Sequence, residues 1–297
     1  MPVSKARRRE IRIGVLFLSP WLIGLGVFTA YPIIASFYFS FTHYSGLSAP
    51  RWIGMDNYVQ LFSDPLFGKA IYNTIYLAII GIPLAQVLSL MTALLLNSKV
   101  RFLSIFRTLY FLPSIVPAVA AALLWRWFLN PQFGPVNLFL ETIGLPTPGW
   151  LTDPAWSKPG LILTSIWGIG GSMVIYLAGL HNIPTELYEA ADLDGAGKIA
   201  KIFSITLPML SPVILFNVVM GIINSFQSFT SVFIMTGGGP ENSTLVYALS
   251  IYRNAFQFYR MGYASAMAWI LLVITSVAVF IVFRFFGRYG YFGGTEQ

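Results

Sequence analysis

The sequence predicts an all-α membrane protein with six transmembrane helices, and three observations carry that prediction. First, 56% of its 297 residues are hydrophobic and only 10% are charged, against about 45–50% and about 25% in average soluble domains. Second, marking every Asp, Glu, Lys and Arg leaves six long charge-free runs, 13–50, 70–98, 108–125, 159–185, 202–240 and 261–283, none shorter than 18 residues. A helix crossing the hydrocarbon takes about 20 apolar residues, and a charge at mid-span costs about 2.5–3.5 kcal/mol on insertion scales, so each run reads as one span. Third, six spans place both termini on one face, together with the turns near 98–107 and 184–208. That face holds 12 of the 18 Lys and Arg residues, which makes it cytoplasmic and accounts for the net charge of +7 without any nucleic-acid partner.

Taken in order, residues 1–12 form a basic cytoplasmic tail and 13–42 the first helix. Its apolar run is longer than the roughly 7–15 residues of a signal-peptide core and ends in no small-residue cleavage site, so it is retained as a span. Residues 43–70 read as an outer loop with a short interfacial helix, because Trp52, Tyr58, Phe62 and Phe67 suit the headgroup level. The second span is expected from Asn73-Thr74 to Asn97-Ser98. In the third, Pro113 and Pro117 remove backbone donors and predict a bend. The small run Ala118, Ala120, Ala121, Ala122 allows close helix approach, and Trp125, Arg126 and Trp127 mark the outer interface. The charge-free stretch 127–140 contains Asn130, Pro131, Gly134 and Pro135 and is assigned to an outer loop over 130–158. The fourth span runs from Pro159 to Leu180, loosened in its middle by Gly168, Gly170 and Gly171. The sixth ends near 286, and 287–297 form a cytoplasmic tail.

One segment departs from this apolar plan: 186–201, ELYEAADLDGAGKIAK, carries six charges in sixteen residues. A phosphate-binding loop would need G-x-x-x-x-G-K-[ST]; here Asp192 occupies the first glycine position and Ile199 replaces the hydroxyl, so nucleotide binding is excluded. Two short helices joined by a turn fit better. Thr185 caps the first, Glu186 and Glu189 favour its positive end, and Asp194-Gly195 turns the chain where glycine tolerates positive φ. A second helix then returns through Lys198 and Lys201 to Leu207-Pro208.

Glu189-Ala190-Ala191, Asp194-Gly195-Ala196 and Ile205-x-Leu207-Pro208 resemble the EAA loop of membrane subunits of binding-protein-dependent ABC importers. Asn73-Thr74, the FLP at 111–113, LLWRWFLNP at 123–131 and SFQSFTSVFIMTGGGPENST at 225–244 are similar to the MalF-like half of the carbohydrate-uptake type. The resemblance implies a type I ABC importer permease fold over 71–286, with a cytoplasmic coupling helix in the loop 184–208. It implies a plasma-membrane location with both termini cytoplasmic. The implied partners are a second, MalG-like permease subunit, two ATPase subunits that use ATP and Mg, an external solute-binding protein, membrane lipid and a sugar substrate. This chain itself would bind no cofactor and catalyse nothing. The coupling residues carried over are Glu189, Ala190, Ala191, Asp194, Gly195 and Ala196. The large outer domain of the maltose member is missing here, and the chain looks more like six-helix relatives serving glycerol 3-phosphate, lactose or trehalose.

Neutral sugars are held by amides, hydroxyls and aromatic faces. Polar residues inside the charge-free helices are therefore the substrate candidates: Asn224, Phe226, Gln227 and Ser228 in the fifth span, Trp167 and Ser172 in the fourth, with Asn217, Ser165 and Tyr176 as further polar positions. A glycerol 3-phosphate or polyol importer is the alternative within this reading. A secondary carrier is disfavoured because the six runs contain no ionisable pathway. An intramembrane enzyme finds no cysteine, and only His43 and His181 as histidines, to supply its chemistry.

Overall fold

The computed structural model describes residues 5–98 and 102–289. Lys99 and Arg101 of the expected cytoplasmic turn, and the ends of both expected tails, lie outside the described residues.

In chain order, α1 (Lys5–Leu25) continues through a π turn at Gly26–Ala30 into α2 (Tyr31–Ser40). Two short strands follow, β1 (Thr42–His43) and β2 (Arg51–Trp52), paired antiparallel with Thr42 opposite Trp52. Next come α3 (Asp56–Ser63), α4 (Pro65–Leu96), α5 (Leu103–Phe111), α6 (Ala118–Phe128), α7 (Pro135–Thr142), α8 (Pro154–Ile166) and α9 (Gly170–His181). The charged loop supplies α10 (Thr185–Leu193) and α11 (Lys198–Lys201), which runs through a π turn into α12 (Leu207–Met209). The chain closes with α13 (Ser211–Phe226), α14 (Thr230–Met235), α15 (Tyr247–Tyr252) and α16 (Met261–Tyr289).

Three straight stretches are long and apolar enough to cross a membrane: Arg12–Ser40, Pro65–Leu96 and Met261–Phe286. The count reaches six when three bent pairs are taken as one span each: α5 with α6, bent by 99°, α8 with α9, by 45°, and the Lys198–Met209 helix with α13, by 67°. The causes are local. Between α5 and α6, Pro113 sits in a 3-10 turn and Val116 is extended (ψ 130°) ahead of Pro117, as the residue before a proline tends to be. Between α8 and α9 the glycine-rich stretch loosens the helix as the sequence predicts. At Leu210 the break falls between Pro208 and Pro212, each missing a helical donor.

Several boundaries differ from expectation. The second span begins at Pro65 rather than near Asn73, because the Asp64 side chain accepts from Leu66 N–H and Pro65 suits the first turn. Phe67 is core rather than interfacial, stacked edge-on with Tyr247. Thr185 makes no cap; Pro184 holds that position. The expected loop 130–158 contains α7 and the start of α8.

The chain divides into two compact units. In the first, up to Ser63 plus Ile251–Ile270, the buried Asn57 amide donates to Ser40 O (2.8 Å) and Thr42 O (2.9 Å), and Trp269 Nε1 donates to Ser36 Oγ (3.2 Å). In the second, Asp64–Ser250 with the chain from Leu271, the core gathers Ala93, Leu96, Met173, Tyr176, Leu177 and Leu210. Gly179 permits a close approach there: a Cβ on it would stand 2.8 Å from Leu210 Cδ2 and 2.9 Å from Val213 Cγ2.

Candidate coupling loop and membrane cavity

The charged loop is held by its own backbone. Gly195 has φ +76°, Gly195 N–H donates to Asp192 O (3.1 Å) and Ala196 N–H to Ala191 O (2.9 Å), the paired bonds of a Schellman ending to α10. Lys201 pairs with Asp192 across the turn, and Tyr188 Oη shares a 2.9 Å hydrogen bond with Thr206 Oγ1, fixing α10 against the returning helix. What remains faces outward. Glu189, Ala190, Asp194 and Gly195 are exposed, and Ala191 and Ala196 half-buried. Leu193 is 91% exposed and Ile199 73%, with Phe203 also bare. Glu186, Glu189 and Asp194 form no ion pair among the described residues. Small residues, acidic groups and bare apolar side chains thus share one short knob.

The second feature is a cavity of about 480 Å³ between α4, α6, α8, α9, α13 and α14. Its polar lining comes from Gln86, Thr164, Ser165, Ser172, Asn224, Ser225, Ser228 and Ser231, and its aromatic lining from Trp125 and Trp167. No charged side chain is among the described residues that line it. Such a surface offers donors, acceptors and ring faces to a polar neutral solute.

Four of the six substrate candidates meet here: Asn224, Ser228, Trp167 and Ser172. The other two do not. Phe226 is buried against Ala78 and Ile222, on the wall of a separate apolar groove shared with Ile274 and Val277. Gln227, the residue that caps α13, is exposed and is not among the residues that line the cavity. Tyr176 and Asn217 are packed instead: Tyr176 Oη donates to Gln86 Oε1 (2.8 Å), and Asn217 Nδ2 to Val213 O (3.0 Å). Trp125, expected at the outer interface, is in the cavity wall. Gln86 is a lining residue that the sequence reading missed, although an amide midway along the charge-free run 70–98 was a visible signal.

Comparison with known proteins follows the same lines. The family model described as binding-protein-dependent transport system inner membrane component matches residues 67–289. The chain is 40% identical over 289 residues to the probable ABC transporter permease protein YesP of Bacillus subtilis, covering 96% of this chain and 93% of that one. It is 36% identical over 277 residues to the lactose transport system permease protein LacF of Rhizobium radiobacter, covering 91% and 92%. A solved chain of a bacterial alginate ABC transporter, in complex with an alginate pentasaccharide-bound periplasmic protein, superposes with TM-score 0.84 at 29% identity, covering 96% and 97%. The chain belongs to the family of binding-protein-dependent transport system inner membrane components, the non-catalytic permease subunits of ABC importers.

Proposed function

We propose that this chain forms half of the translocation pathway of an ATP-driven importer of a sugar or oligosaccharide. The observation that carries the substrate class is the charge-free cavity with its amides, hydroxyls and two indoles. The lactose and alginate systems among its relatives support sugar over glycerol 3-phosphate, whose phosphate would find no cation in the described cavity lining. Asn224, Ser228, Ser172 and Trp167 would contact the solute, and Phe226 would support Asn224 from the apolar side. Gln227 remains a candidate only for a state in which the 227–229 break has rearranged.

Energy would arrive through the loop 184–208. Glu189 to Ala196 would seat in a groove of a separate ATPase subunit that binds ATP and Mg. Closing an ATPase pair would then swing this permease and a second, MalG-like one between inward-open and outward-open states. A solute-binding protein would deliver sugar from outside, with both termini and Lys198 cytoplasmic.

The test is reconstitution in vesicles with the two permease subunits, the ATPase pair and the binding protein. Sugar uptake should require ATP, and Asn224→Ala with Ser228→Ala should lower it by about tenfold, two lost hydrogen bonds in a water-poor site. The chain has no cysteine, so Glu141→Cys should label from outside and Lys198→Cys only after permeabilisation. Uptake without ATP, or of glycerol 3-phosphate alone, would overturn the proposal.

A further inference from the structure

Buried polar groups are almost always hydrogen-bonded, and an exception calls for a physical reason. Among the described residues the buried side-chain nitrogens and oxygens left without a partner are Arg107 Nε and Trp125 Nε1. The Arg107 guanidinium has another outlet, since its Nη2 reaches Leu96 O at 3.4 Å. Trp125 has none: an indole carries a single donor and no acceptor.

The position of that orphan is informative. Trp125 follows Ala118, Ala121 and Ala122 on the face of α6 that lines the cavity. Its ring stands edge-on to Trp167, with centroids 6.0 Å apart and planes at 79°, and 5.8 Å from Phe128. The two indoles therefore form a corner in a wall that also includes the hydroxyls of Ser228 and Ser231, beside and on α14. The ring surface faces the cavity while the N–H is closed off from water. A phenylalanine there would strand no donor, and a turn of the indole that brings its N–H to the cavity surface would give it an acceptor on a bound solute.

We infer that Trp125 is a substrate-contacting residue, whose indole N–H turns into the cavity and donates to an oxygen of the bound sugar while Trp167 supplies the adjoining ring face. The inference rests on the sugar-importer reading above. A hydroxyl or ring oxygen is the matching acceptor, being neutral and abundant on a saccharide, whereas an aliphatic solute would leave the donor stranded. A hydrogen bond from Trp125 Nε1 to the sugar would thus satisfy a donor that has no partner within this chain.

The experiment compares wild type with Trp125→Phe, which keeps a ring and deletes the N–H, and with Trp127→Phe, whose parent residue is 53% exposed and away from the cavity. Each permease is reconstituted with the same partners and binding protein, and uptake of the sugar is measured beside that of its monodeoxy analogues. Using one binding protein cancels its own selectivity from the ratio between variants. Trp125→Phe should transport the parent sugar about 3–10-fold more slowly, the loss of one hydrogen bond, and should lose the wild-type discrimination against one analogue. Its thermal midpoint without sugar should equal or exceed that of wild type, because an orphaned donor has gone. Unchanged discrimination with Trp125→Phe overturns the inference. So does a lowered midpoint with all sugars slowed equally, which marks Trp125 as structural only. If wild type moves no sugar at all, the importer reading fails first and this inference with it.

Discussion

The turn 236–247 and the loop 185–201 are both short, polar and glycine-bearing, and they are built in opposite ways. In the turn nearly every polar group is spent inside the second unit. Asn73, fully buried on α4, donates to Asn242 O (2.9 Å) and Leu245 O (3.1 Å), and its Oδ1 accepts from Lys158 Nζ (3.2 Å). Thr74 Oγ1 accepts from Tyr247 N–H, Ser157 bonds Ser243 at 2.8 Å, and Lys158 lies 4.8 Å above the rings of both Tyr72 and Tyr76. The loop spends its backbone, one ion pair and the Tyr188–Thr206 hydrogen bond, leaving acidic and apolar side chains uncovered. A segment that satisfies itself holds a fold together; one that leaves its side chains idle offers them to another molecule.

The comparison breaks most visibly if Asn73 is removed. Asn73→Ala would remove the hydrogen bonds to Asn242 O, Leu245 O and Lys158 Nζ, at about 1 kcal/mol for each neutral bond and about 1.5–3 kcal/mol for the charged one, costing about 3–5 kcal/mol in all. A large fall in thermal midpoint, or loss of the folded protein in detergent, is the expected result. Next in size is Gly195→Val. A Cβ there meets nothing within 4 Å, so its cost is the backbone alone, about 1–3 kcal/mol for a β-branched residue at φ +76°. Gly195→Asn, which tolerates that region, should behave almost as wild type. Comparable effects of Val and Asn on ATPase recovery would show that φ is not what matters.

Smaller still is Leu193→Ser, with a stability change within about 0.5 kcal/mol because the side chain touches little, yet a clear loss of ATPase co-purification. A similarly small stability change, with no loss of a bare apolar side chain from the knob, belongs to Lys201→Met. The pair it breaks has Asp192 67% exposed, so solvent screening holds its worth to about 0–1 kcal/mol.

The sequence was legible where one physical force acts alone. Excluding charge from hydrocarbon marks the six spans, and the φ requirement marks Gly195. Charge patterning says where lipid begins, but not where a helix does: Asp64-Pro65 caps α4 eight residues before the Asn73 that looked like its start. Asn73 instead serves the turn 236–247, some 170 residues away in sequence, a pairing that local pattern cannot reveal. The polar site was half legible for a related reason. Spacing groups Asn224, Gln227 and Ser228, yet which of them reach the cavity depends on how α4, α6 and α8 pack around them, and Gln227 is not among its lining residues. Trp125 was not singled out for the site because a Trp-Arg-Trp run suggests an interface, although its spacing from Ala118, Ala121 and Ala122 already set it on one helical stripe.

The claim that the open loop is where ATPase subunits seat is tested most directly by Glu189→Lys combined with Gly195→Val. The measurement is ATPase stoichiometry after purification together with sugar-stimulated hydrolysis in vesicles. Neither residue packs in the core, so membrane insertion should match wild type and the thermal midpoint should fall no further than in Gly195→Val alone, while the ATPase is lost or hydrolysis no longer responds to sugar. Full stoichiometry with normal stimulation would contradict the account, and would reduce the charged loop to a solvated connection between two spans.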